Sequence, residues 1–154
     1  MKFEIKNRWT AEIVFSIEAE NWRFAVEAAI KAGANLSGAD LSKADLSPIR
    51  NDFWDVLLRA PKEVDGLRKA LVGGRVNGST YEGECACLVG TIANIKGERY
   101  DTIKNLQPDS SRPIERFFLA IRKGDTPETN LFCNKAVEWI DDFLGNISQL
   151  KEAK

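Results

Sequence analysis

Residues 34–47 read ANLSGADLSKADLS, three near-copies of a five-residue unit, Ala-Asn/Asp-Leu-Ser-x, in an otherwise non-repetitive chain. Leu36, Leu41 and Leu46 recur every five residues, with Ala34, Ala39 and Ala44 two positions before each and Asn35, Asp40 and Asp45 between. Tandem matches at a fixed period mark a repeat unit; the alternative is a turn-prone linker rich in Ala, Asp, Leu and Ser. Ahead of it, Lys2 to Glu18 alternates: Phe3 and Ile5, then Ile13, Phe15 and Ile17, flank Asn7-Arg8-Trp9-Thr10. That pattern predicts a two-stranded hairpin with one apolar face. A lone hairpin is marginal in water. Its cover is the helix predicted in AENWRFAVEAAIKAG, where Trp22, Val26, Ala29 and Ile30 fall at helical spacing and Gly33 ends the run.

After Pro48 the composition changes and the chain reads as helical. Phe53, Trp54, Leu57 and Leu58 form one stripe, broken at Ala60-Pro61 because proline cannot continue a helix. Pro61 suits the first turn of a second helix with Val64, Leu67 and Leu71 inward, stopped by Gly73-Gly74. Ser79-Thr80-Tyr81-Glu82 offers a capping box ahead of CACLVGTIANI, which is apolar on nearly every side. It predicts a central buried helix in which Gly90 permits close helix approach and Gly97 is the stop. A fourth helix follows Pro113, with Ile114, Phe117, Phe118 and Ile121 inward and Gly124 as its end. The last begins after Pro127 with Ala136, Trp139, Ile140 and Phe143 inward, leaving 148–154 as a frayed tail.

A chain of 154 residues, 44% hydrophobic and 29% charged, can bury a real core. Its 22 basic and 23 acidic residues give a net charge of −1, so no global basic field draws in nucleic acid. No apolar run reaches the roughly 20 residues that span a bilayer. The opening MKFEIKNRWT lacks a signal-peptide core, and three cysteines do not make a disulfide framework. The expectation is a cytoplasmic protein with no membrane segment. The chain contains no histidine, which removes Ser-His-Asp triads, Cys-His dyads and His-based zinc sites by composition alone.

The ANLSGADLSKADLS run resembles the pentapeptide-repeat pattern. The resemblance implies a right-handed quadrilateral β-helix in which the central Leu and the preceding small residue point inward. That family needs four pentapeptides per coil, so three repeats amount to less than one turn. The DNA mimicry of full-length repeat proteins therefore does not carry over. FEIKNRWTAEIVFSIEAENWRFAVEAAIKAGANLSGADLS, with GSTYEGECACLVGTIAN and PDSSRPIERFFLAIRKGDTPETN, resembles pentapeptide-repeat-containing proteins of tailed bacteriophages and prophages. That resemblance implies a hairpin and helix that cap the repeats and a helical part behind them. The expected fold is α+β: an N-terminal β-hairpin plus helix capping a truncated pentapeptide-repeat β coil at 1–50, then a small α-helical bundle at 51–147.

Candidate binding residues lie in three loops. In QPDSSRP, Ser110, Ser111 and Arg112 stand at a helix start whose free N–H groups suit an anion, phosphate or nucleotide included. The plainer alternative is that Asp109, Ser110 or Ser111 caps the helix behind Pro113. RKGDTPETN has the same double meaning, and if both loops meet at one end, Arg112, Arg116, Arg122 and Asp125 form a mixed-charge pocket. Tyr81 with Glu82 and Glu84 suits a hard cation or an acid/base pair, or else simply answers a helix dipole. Cys85 near a helix start is either an activated thiol or a buried structural residue.

What the residues and the resemblance together imply is a non-enzymatic phage or prophage accessory protein. It binds a host or defence-system protein, in the manner of an anti-CRISPR or another host-immune antagonist. No cofactor is expected. A homodimer through the open edge of the repeat coil is a further expectation. The alternative is a small anionic ligand or nucleotide held at the Ser110–Arg116 helix start.

Overall fold

The computed structural model describes residues 1–7, 10–36, 39 and 45–152, the last by its backbone alone. The fold is α+β: one antiparallel hairpin and, among the described residues, six helices. β1 (Lys2–Lys6) pairs with β2 (Ile13–Glu18) so that Phe3 faces Ile17 and Ile5 faces Phe15. Phe3 and Ile5 are buried, and Phe15 packs partly against the core. Ile13 departs from the expected face. A bulge between Ile5 and Lys6 places it opposite Lys6, and it is exposed. One extra residue in a strand reverses the alternation beyond it.

Helix α1 (Trp22–Lys31) covers the hairpin. Asn21 caps it, its side chain accepting from the Phe24 amide, and Gly33 ends it with φ of +71°. Val26, Ala29 and Ile30 are buried as their spacing predicts, while Trp22 meets Phe3 edge-on with ring centres 5.0 Å apart.

Half of the repeat coil expected over 34–47 falls on residues 37, 38 and 40–44, Leu41 and Ala44 among them, which lie outside the described residues. Of the rest, Leu36, Ala39 and Leu46 are buried. Ala39 bridges to Asn7 beyond the end of β1, and its amide donates to the Leu36 carbonyl at 3.0 Å. Asp45 is exposed and receives the Ser47 amide at 3.0 Å, at the start of the next helix.

Five helices follow: α2 (Ser47–Arg59), α3 (Val64–Val72), α4 (Leu88–Lys96), α5 (Pro113–Phe118) and α6 (Leu131–Glu152). α2 buries Ile49, Phe53, Val56 and Leu57, but Leu58 is exposed because its position lies past the edge of the stripe. α3 buries Val64, Leu67 and Leu71 and stops at Gly73-Gly74. α4 starts at Leu88 behind Cys87, not at the expected capping box. Residues 79–85 form turns and bends instead, the Ser79 amide and hydroxyl both donating to Asn77 Oδ1. Gly90 does permit a close approach, but of loop to helix. A Cβ there would run into the Tyr81 carbonyl oxygen.

The central helix is the short α5, which touches α1, α2, α4 and α6. Phe118 packs on Phe53 and Phe117 on Phe132 and Trp139, with ring centres 5.6, 4.6 and 5.1 Å apart. Ile121 is buried as expected, though beyond the end of the helix. α6 begins four residues after Pro127, because Asn130 is the capping residue. Its Oδ1 accepts from the Phe132 and Cys133 amides at 2.8 and 3.1 Å. The helix continues through the stretch expected to fray, as far as Glu152. A single apolar cluster runs from Ile5 in β1 to Phe143 in α6. No helix of the described residues is long and apolar enough to cross a membrane.

Candidate functional site: a groove between α1 and α5

The structure divides the sequence-selected residues among three places. Arg112 turns away from solvent toward α2. Its Nη2 donates to Asp52 Oδ1 at 2.7 Å and to Asp55 Oδ2 at 2.6 Å, and its Nε to Asp52 Oδ1 at 3.1 Å. The second oxygen of Asp52 accepts from the Ile114 amide at 3.0 Å. The free N–H group that would have held an external anion at α5 is thus met by a carboxylate of the chain itself. Ser111 is engaged locally, with amide and hydroxyl on Asp109 Oδ1. These hydrogen bonds hold the exposed Asp109 carboxyl below the usual carboxylate range. Neither reading of QPDSSRP describes the geometry: no side chain of 109–111 caps α5, whose start at Arg112 is closed by Asp52 from α2.

Tyr81 lies on a different side of α5. Its hydroxyl donates to Glu115 Oε2 at 3.0 Å, and Glu115 Oε1 accepts from the Asp109 amide at 2.9 Å. Glu115 is buried with both oxygens satisfied. One carboxylate therefore ties loops 79–87 and 107–112 to the central helix. Burial, and then the neighbouring Glu115, push the Tyr81 phenol well above the ordinary tyrosine range. Tyr100 stacks on Tyr81 with ring centres 5.3 Å apart. Glu82 and Glu84 point outward, and among the described residues no group of three or more carboxylates or cysteines gathers to hold a metal. Cys87 and Cys133 are buried, and burial pushes their thiols up to about 11 and about 12; Cys85 is half-buried.

The remaining residues do come together. Ser110 and Arg116 line a cavity of about 420 Å³ between α1 and α5, with Phe24, Glu27, Ala28, Ile30, Lys31 and Leu119. Arg122 and Asp125 line an adjoining cleft of about 170 Å³ that shares Ile30 and Leu119 with it. The expected single mixed-charge pocket is not formed: Arg116 lines the first hollow, Arg122 and Asp125 the second, and Arg112 neither. Phe24 is 41% exposed and Leu119 48%, so the apolar rims face solvent. Arg116 Nε donates to the Ser110 carbonyl at 3.2 Å, and its Nη1 lies 3.5 Å from Glu27. Arg23 sits over the Phe24 ring, 4.9 Å from its centre. Its Nε is 3.3 Å from Glu27, an ion-pair distance without hydrogen-bond alignment. Asp125 Oδ2 accepts from the Arg122 amide at 2.8 Å and from Asn130 Nδ2 at 2.6 Å. Lys31 and the Arg122 guanidinium make no ion pair among the described residues.

Sequence reasoning missed Phe24, Lys31 and Leu119. Phe24 carried a readable signal, since it is an aromatic residue on the polar side of an amphipathic helix. Leu119 carried none, because its exposure follows from α5 ending one residue earlier.

Comparison of the chain with protein-family models, with curated proteins and with solved structures gives no match.

Proposed function

We propose that this protein is a non-enzymatic binding protein, a phage or prophage accessory factor that contacts a host or defence-system protein in the cytoplasm. The observation that supports this reading is the α1–α5 groove. Phe24 and Leu119 stand exposed on its rims beside Lys31 and Arg122. An apolar strip ringed by charge has the make-up of a contact surface. The groups best suited to chemistry are engaged internally: Arg112 with Asp52 and Asp55, Tyr81 with Glu115. A partial β coil over the repeats belongs to the same proposal, supported by the inward Leu36 and Ala39. So does a second copy along its open edge, which light scattering would read as twice the monomer mass.

The test is affinity capture from host lysate with the wild-type chain and with Phe24→Ser/Leu119→Ser side by side. A stoichiometric partner held by the first and lost by the second is the expected result. A partner held equally by both, or none at all, would overturn this use of the groove. The second reading, a small organic anion or nucleotide, is favoured by one observation: Lys31 and Arg116 flank a cavity of about 420 Å³. That volume falls within the small-ligand range. Under this reading a nucleotide panel raises the melting temperature.

A further inference from the structure

We infer that the groove receives an acidic amphipathic segment of the partner protein. One large apolar side chain sits between Phe24 and Leu119, and carboxylates meet Lys31 and Arg122. The inference rests on the protein-binding reading above and adds the chemistry of what binds.

Charge is the first argument. Arg23, Lys31, Arg116 and Arg122 border the trough, against Glu27 and Asp125. Glu27 already faces Arg116 and Arg23, and Asp125 already accepts from the Arg122 amide and Asn130. Among the described residues, what remains for an incoming chain is cationic, on a protein whose overall charge is −1. A basic segment would be repelled at Lys31 and Arg122, whereas an acidic one completes them.

Shape is the second. The apolar cavity and the polar cleft share Ile30 and Leu119, so they adjoin in one trough whose α1 wall runs from Phe24 to Lys31. Eight helical residues span about 12 Å. That is room for about two turns of helix, with an anchor at one end and carboxylates spaced toward the other. Apolar anchors at helical spacing in a groove are a recurring mode of peptide recognition.

The test begins with selection of displayed random peptides of about twelve residues on the full-length protein. The best sequence is then synthesised with a fluorescent label and its affinity read by anisotropy. The expected peptides carry Asp or Glu together with Phe, Leu, Ile or Trp. Their affinity falls at least about tenfold on Lys31→Glu/Arg122→Glu and with rising salt. Leu58→Ser, at an exposed position that lines neither hollow, leaves affinity within about twofold, and circular dichroism verifies that each variant is folded. Enrichment of basic or uncharged peptides, no enrichment, or binding indifferent to the charge reversal would refute the acidic segment. If the peptides fail while a lysate partner is still lost on Phe24→Ser/Leu119→Ser, the groove meets a folded surface. In that case only the segment is refuted and the protein-binding reading stands.

Discussion

Asp52 Oδ2 accepts from the Ile114 amide at 3.0 Å while its other oxygen holds Arg112. One carboxylate of α2 thus closes the start of α5 and fixes a guanidinium whose side chain is only 16% exposed. Asp52→Ala removes the acceptor of both donors at once and leaves a largely covered cation short of a partner. The expected loss is about 2–4 kcal/mol, with roughly half of it for Asp52→Asn. Urea unfolding measures it, and a loss below about 0.5 kcal/mol for Asp52→Ala would rule out a structural role.

Asp55 and Asp141 give the protein an acid limb. Arg112 and then Arg59 hold the Asp55 carboxyl below the ordinary 3.8, and Arg68 does the same for Asp141. Depressed folded-state values mean that this stability is complete above the unfolded value and is lost as pH falls through the folded one. Stability is therefore expected to be flat above about pH 5 and to decline below about pH 4. Both carboxylates are about half exposed, so the slope is shallow and weakens in salt. Asp55→Asn flattens it further. An identical slope in Asp55→Asn would assign the acid limb to other groups.

Tyr81→Phe leaves the buried Glu115 carboxylate without its donor on Oε2. The expected cost is about 1–2 kcal/mol. In an alkaline titration followed by phenolate absorbance, Tyr81 is expected to ionise only as the chain unfolds, because burial and Glu115 both oppose its charge. Ionisation of both tyrosines in the folded protein would contradict the contact.

A thiol reagent at about pH 8 should find one ready target. Cys87 and Cys133 are buried with thiols pushed up to about 11 and about 12, whereas Cys85 is half-buried. Thiolate is the reactive form, so the folded protein is expected to release one equivalent of chromophore quickly, and three in guanidinium. Fast release of two or more without denaturant would mean that α4 or α6 opens readily.

Much of the architecture is legible in the sequence because periodicity survives folding. Val26, Ala29 and Ile30 in α1, Val64, Leu67 and Leu71 in α3, and Ala136, Trp139, Ile140 and Phe143 in α6 are buried where their spacing puts them. Boundaries set by competing hydrogen bonds were not legible. Ser79 and Glu82 have the letters of a capping box, yet Asn77 takes the Ser79 donors and the helix waits for Leu88. Asn130 outcompetes Pro127 for the start of α6 by binding two amides at once. The candidate site was half readable. Ser110, Arg116, Arg122 and Asp125 do line neighbouring hollows, but the loss of Arg112 to Asp52 depends on a contact across 60 residues. No local pattern announces such a pairing.

The Gly124 amide donates to the Gly74 carbonyl at 2.8 Å, joining the turn after α3 to the turn before α6. Beside it, the Cys133 thiol reaches the Leu71 carbonyl, and Arg68 grips Asp141. All of these clasps reach forward along the chain: α4 packs on α3 early, but the side of α3 that meets α6 leaves the ribosome long before its cover has been made. The nascent protein must carry that greasy face uncovered until its last helix emerges. Premature termination anywhere ahead of Leu131 would hand chaperones and proteases a sticky intermediate instead of a shorter working protein.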